Sequence, residues 1–74
     1  MEIKKIQVTF RGFLPKTMAE VEHKFEMHVP NAVPVVSQKM RQIVELEYWN
    51  WLLTNAYYPD WEDALSYHEK TSTP

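Results

Sequence analysis

Glu20-Val21-Glu22-His23-Lys24-Phe25-Glu26-Met27-His28-Val29 decides the fold, because it can be read in two ways. Val21, His23, Phe25, Met27 and Val29 alternate with Glu20, Glu22, Lys24, Glu26 and His28, the period of two that puts one set on each face of a strand. The same region carries helical marks. Thr17 and Glu20 have capping-box spacing, Met18, Val21 and Phe25 fall at helical intervals, and residue propensities over Met18–His28 lean helical. Just upstream, Ile6, Val8 and Phe10 interleave with Lys5, Gln7, Thr9 and Arg11, a second strand-like run. An isolated strand is unstable in water, so the first run needs a neighbour. The expectation is an antiparallel hairpin, with a helical reading of residues 18–29 left open. Ile3 is out of phase with the first run, Gly12 ends it, and residues 13–17 read as a loop.

Pro30 and Pro34 bracket a connector, and Pro34 can serve as the first residue of a helix that nothing interrupts before Asn55, a suitable C-terminal cap. After the connector Tyr57-Tyr58-Pro59, Asp60 reads as an N-cap with Glu62 and Asp63 in the first turn. Trp61, Ala64, Leu65 and His68 then come at helical spacing, which predicts a short helix to about Glu69. The expected class is α+β: a two-stranded antiparallel hairpin packed on one long helix, followed by a short acidic C-terminal helix. Residues 1–70 form a single small domain and 71–74 a frayed tail. The inner residues are expected to include Ile6, Val8, Phe10, Val21, Phe25, Met27, Met40, Ile43 and Trp51.

Composition bounds the function. A chain of 74 residues buries only roughly 60% of its unfolded surface. With 45% hydrophobic residues, 24% charged residues and a net charge of -2, the mix is that of a globular domain. The absence of cysteine removes disulfides, thiol catalysis and Cys-based zinc sites, and fits a reducing compartment. A single glycine leaves no Gly-rich phosphate loop. No apolar run approaches the ~20 residues that span a bilayer, and Met1–Lys5 lacks a signal-peptide stretch, so a cytoplasmic protein with no membrane contact is expected.

The long helix holds the most informative surface. In its first half, Val36, Met40, Ile43 and Val44 share one side, opposite Gln38, Arg41, Gln42 and Glu45. In its second half the pattern fails. Tyr48, Trp49 and Leu52 project along the polar line of Arg41, Gln42 and Glu45, while Trp51 and Leu53 flank the inner stripe. Two readings stand side by side. The next segment folds back and covers this second face with Tyr57, Tyr58, Trp61 and Leu65; or part of the face stays open and docks a partner or a second copy. Charge supports the second. Residues 44–69 carry six acids (Glu45, Glu47, Asp60, Glu62, Asp63, Glu69) and no Lys or Arg, whereas residues 1–43 carry seven bases against four acids. An acidic aromatic surface attracts and then grips a basic groove.

Other chemistry finds little support. His23 and His28 fall on opposite faces of the second strand, and His68 with Glu69 and Asp63 lacks a ligand spacing, so no metal or cofactor is expected. His23 reads as a core histidine. No nucleophile motif accompanies the hydroxyl residues, so no enzyme is expected. Lys5, Arg11 and Lys24 can share the outer face of the hairpin, but Glu20, Glu22 and Glu26 share it too, which disfavours nucleic acid.

The opening Met1-Glu2-Ile3-x-Lys5-Ile6-x-Val8-x-Phe10-x-Gly12-Phe13, followed by a second alternating run and a helix, resembles small phage-encoded early proteins of the Dmd-like antitoxin and inhibitor type. The resemblance covers the N-terminal quarter and carries no site residues. It implies a compact protein that binds, and often inhibits, a bacterial host or defence protein. The functional expectation is therefore a protein-binding module. Tyr48, Trp49, Leu52 and Trp61 are its anchors, and Glu45, Asp60, Glu62 and Asp63 its acidic rim. The alternatives are a homodimer closed over the same aromatics and a nucleic-acid binder using the hairpin.

Overall fold

Alternation prevails over helix propensity in the deciding stretch. In the computed structural model, which describes residues 2–70, β1 (Ile3–Phe13) and β2 (Glu20–Pro30) pair antiparallel along their whole length, from Ile3 opposite Pro30 to Phe13 opposite Glu20. The frayed tail expected at 71–74 lies outside the described residues. At the turn, the Leu14 N–H donates to the Ala19 carbonyl (3.0 Å) and the Met18 N–H to the Leu14 carbonyl (2.8 Å), with Met18 at φ 58. Thr17 Oγ1 accepts from the Ala19 N–H at 3.3 Å, so the capping-box residue closes a turn instead of opening a helix. Ile3 shares the outer phase with Lys5 and is exposed.

β1 is the central strand. Its other edge is covered by β3 (Tyr58–Pro59) and β4 (Leu65–Glu69), both antiparallel to it. Gly12 and Phe13 face Pro59 and Tyr58, and Ile6–Phe10 face Glu69–Leu65. The short acidic C-terminal helix is thus corrected to a strand. Asp60 therefore caps no helix: its Oδ1 accepts from the Glu62 and Asp63 N–H groups, both at 3.0 Å, and closes a turn. Beyond that turn the chain is extended because the β1 edge offers a row of backbone groups that must be satisfied, and Leu65 and Tyr67 alternate with Ser66 and His68 to suit a sheet.

Gly12 does not end β1. It lies within the strand at an ordinary φ, and its use is close approach. A Cβ there would stand 3.0 Å from the Tyr58 carbonyl oxygen and 3.2 Å from Leu52 Cδ2. The missing side chain lets β3 and the helix crowd onto the same strand.

α1 (Gln38–Asn55) packs on one face of the sheet. It starts later than the proline suggested. Ser37 is the N-cap, its Oγ accepting from the Met40 N–H at 3.1 Å, while residues 34–37 form a turn and Val36 is exposed. At the other end Ala56 adopts φ 56 and ψ 40; the Tyr57 N–H reaches the Leu52 carbonyl (3.0 Å) and the Ala56 N–H the Leu53 carbonyl (3.4 Å), a Schellman closure. The core joins Ile6, Val8, Phe10 and Val29 of the sheet to Met40, Val44, Tyr48 and Leu52 of the helix. Val21, Phe25, Met27, Ile43 and Trp51, also expected inside, are half-buried around it.

The helical stripe explains where the projected face went wrong. Met40, Val44, Tyr48 and Leu52 form a single four-residue row. Such a row is inclined by about 26° to the helix axis, and each step of four advances about 40° around it. A sheet twists beneath the helix, so the contact line follows the oblique row instead of a line parallel to the axis. Projection onto a straight axis therefore assigned Tyr48 and Leu52 to solvent, whereas both are 2% exposed.

Candidate functional site

The departure of the third strand from β1 builds the site. Between the pairs Gly12–Pro59 and Phe10–Leu65 the central strand advances two residues and its neighbour six, so a segment of four extra residues loops outward. The Arg11 N–H still reaches the Ala64 carbonyl at 2.8 Å, which closes the base of the loop.

Tyr48 fastens this loop to the rest of the fold. Its hydroxyl donates to the Arg11 carbonyl at 2.6 Å and accepts from the Asp60 N–H at 3.1 Å. Burial pushes its phenol above the ordinary value; the Asp60 N–H bond opposes that rise and the Asp60 charge adds to it. Asp60 is itself buried and turns the chain through its bonds to the next two acidic residues' N–H groups. Tyr48, Leu52 and Asp60 are therefore internal supports, which corrects their placement in a docking face. The segment after the helix does cover that face, as one of the two sequence readings held, but only in part.

Trp49 and Trp61 stay on the surface. The fixed turn projects Trp61 outward, 79% exposed, and its ring meets Trp49, 43% exposed, with centroids 6.0 Å apart. Glu62 and Asp63 are exposed beside it, and Glu45 is half-buried in an ion pair with Arg41 at 2.7 Å. The cleft between helix and loop, lined by Trp49, Trp61, Pro59 and Leu65 among others, has a volume of about 240 Å³. That is below the roughly 300–1,000 Å³ of small-molecule sites.

Two further residues were missed. Leu46 and Leu53 are 72% and 80% exposed, and with Trp49 they make an i, i+3, i+7 ridge on the solvent side of α1. Their signal is present in the spacing: at about 100° per residue Leu53 falls beside Gln42 on the polar side of the helix, not at the margin of the inner stripe.

The remaining chemistry is dispersed. Among the described residues, no group of three or more His, Asp or Glu gathers as a metal site. His23 is exposed instead of buried in the core, its ring stacked on Phe25 (4.9 Å) and near-parallel to Trp51 (5.9 Å). On the outer face of the sheet Glu22 pairs with Arg11 (3.1 Å) and Lys24 (3.5 Å), and Glu26 with Lys70. The Lys70 hydrogen bond, then its charge, hold the Glu26 carboxyl below its ordinary value. No described helix is long and apolar enough to cross a membrane. Comparison with protein-family models, curated proteins and solved structures finds no match.

Proposed function

We propose that this chain is a small, non-catalytic protein-binding module whose docking surface is the ridge Leu46–Trp49–Leu53 together with Trp61. The observation that carries this reading is the exposure of four large apolar side chains, two of them packed ring against ring, on one helix and the loop fixed beside it. Contiguous apolar surface of this kind marks interaction sites, and tryptophan is a frequent energetic anchor. Glu62 and Asp63 give the surface an acidic rim, Glu45 being paired with Arg41, so the matching partner presents an apolar groove or helix face bordered by Lys or Arg. The finer reading is an inhibitor of a bacterial host or defence protein acting in the cytoplasm. It rests on the opening segment's resemblance to phage-encoded early proteins.

The test is capture from bacterial lysate on the immobilised chain. One protein should be retained at a fixed stoichiometry, less strongly as salt rises, and lost with Trp49→Ala plus Trp61→Ala while circular dichroism stays unchanged. Retention by the folded double variant would remove the basis for this surface.

A further inference from the structure

β2 is the outermost strand of the sheet, and among the described residues no strand covers its far side. The direction of its backbone groups is set by bonds at both ends of the hairpin. The Asn31 N–H donates to the Glu2 carbonyl (3.0 Å), and the Leu14 N–H to the Ala19 carbonyl (3.0 Å). In this register the odd-numbered residues of β2 exchange hydrogen bonds with β1. The bonds from Arg11 to Ala64 and from Lys70 to Lys5 agree, since they turn the odd-numbered residues of β1 the other way. The N–H and C=O groups of Glu20, Glu22, Lys24, Glu26 and His28 therefore point outward along a free edge.

We propose that this edge is self-complementary and that two copies of the chain pair through it, antiparallel, about a two-fold axis at Phe25. Edge hydrogen bonding by the even-numbered residues requires the axis to pass through a residue, which leaves few registers. With the axis at Lys24, Lys24 faces itself and Glu22 faces Glu26. With the axis at Glu26, Glu26 faces itself and Lys24 faces His28. With the axis at His23, Glu22 faces Lys24 but Glu20 faces Glu26. An axis at Met27 opposes no like charges either, but it pairs only residues 24–30 of the strand and sets Glu26 against His28 alone. The axis at Phe25 pairs the whole of β2, sets Lys24 against Glu26 twice and Glu22 against His28 twice, and opposes no like charges.

The helix side of the strand agrees with this register. Phe25 meets its counterpart in the closely spaced, non-hydrogen-bonded position, and Val21 meets Val29. Phe25 is half-buried, edge-on to Phe10 at 5.0 Å and stacked with His23 at 4.9 Å, and the second ring would meet the part of it that stays exposed. Alternating charge is a usual way to blunt an exposed edge. Here the alternation repels copies centred on His23, Lys24 or Glu26, and pairing over the full length of β2 favours the register centred on Phe25. Lys24 gives up an exposed contact with Glu22 of its own strand, while Arg11 keeps Glu22 and Lys70 keeps Glu26 neutralised. Both helices then lie on the same face of one continuous sheet, and the Trp49–Trp61 surface takes no part.

Because the chain has no cysteine, register can be read by disulfide trapping. Lys24→Cys and Glu26→Cys are made in separate chains of different size and mixed under mild oxidation. Directly opposed positions lie about 5.5 Å apart at Cα, within disulfide range, whereas like positions are diagonal at about 7–8 Å. The mixed product should exceed either self-linked product several-fold. In sedimentation equilibrium, Lys24→Glu or Glu26→Lys alone should raise the dimer dissociation constant about tenfold, and the two together should bring it back within about threefold of the parent. Trp49→Ala plus Trp61→Ala should leave it unchanged, which separates this edge from the docking ridge. A monomer at millimolar concentration, a dimer without preferential mixed linkage, or a dimer lost with the tryptophans would each overturn the proposal. Circular dichroism confirms that every variant compared is folded.

Discussion

Replacing Tyr48 with Phe removes one oxygen and leaves the ring in place. The aromatic contacts to Phe10 (5.2 Å), Trp49 (5.9 Å) and Trp51 (6.0 Å) persist, so the substitution isolates the hydroxyl. Two hydrogen bonds disappear, and the Arg11 carbonyl and the Asp60 N–H lose this partner. A lost hydrogen bond costs about 1 kcal/mol net, and a buried group left unsatisfied costs about 1–3 kcal/mol. Loop movement that readmits water limits the total to about 2–4 kcal/mol. Against the ~5 kcal/mol at the lower end for folded domains, that is a large share. For a chain of this size it corresponds to a fall of about 10 °C or more in the melting temperature. Urea unfolding followed by tryptophan fluorescence measures the loss. Hydrogen exchange at Asp60, Glu62 and Asp63 locates it, because the loop should open before the hairpin. A loss below about 0.5 kcal/mol with those amides still protected would refute the view that Tyr48 fastens the loop.

Three other outcomes are expected from the same geometry. Tyr48 has a raised folded-state pKa, so its protonated form is favoured by folding; its contribution is complete below the unfolded value near ~10 and is lost as pH rises through the folded value. Alkaline titration of stability should therefore fall more steeply above pH ~10 in the parent than in Tyr48→Phe. Gly12→Ala should destabilise by about 1–3 kcal/mol in thermal melts, because the new methyl meets the Tyr58 backbone carbonyl at 3.0 Å and that oxygen cannot move without parting β3 from β1. Ala56→Gly should stabilise by about 0.5–1 kcal/mol in urea titrations: relief of the left-handed conformation at φ 56 exceeds the added chain entropy of glycine when unfolded.

Much of the fold was legible because its causes are local. The alternation of residues 20–29 outweighed the helix propensity of the same residues once β1 was available as a partner. The helix showed as a run of helix formers from Pro34 to Asn55, starting three residues ahead of the Ser37 cap, and Asp60 showed as a residue whose side chain binds the next N–H groups, which it does in a turn and not at a helix start. The exposure of Trp49 was legible because the residue falls on the polar side of the helix. Tyr48 and Leu52 were not readable as core, since a straight projection of the helix ignores the obliquity of its four-residue rows.

The sequence by itself determined the two alternating runs and the presence of one long helix after them, since these depend on side-chain periodicity and helix propensity within a few residues. Tertiary structure alone decided that Leu65–Glu69 is a strand, because the open edge of β1 that recruits it lies at the other end of the sequence. It also decided which rings are hidden: the twist of the sheet selects the buried row, and the closing of the Asp60 loop over Tyr48 leaves Trp61 in water. Both outcomes depend on surfaces that exist only after the hairpin has formed, and no local pattern encodes them.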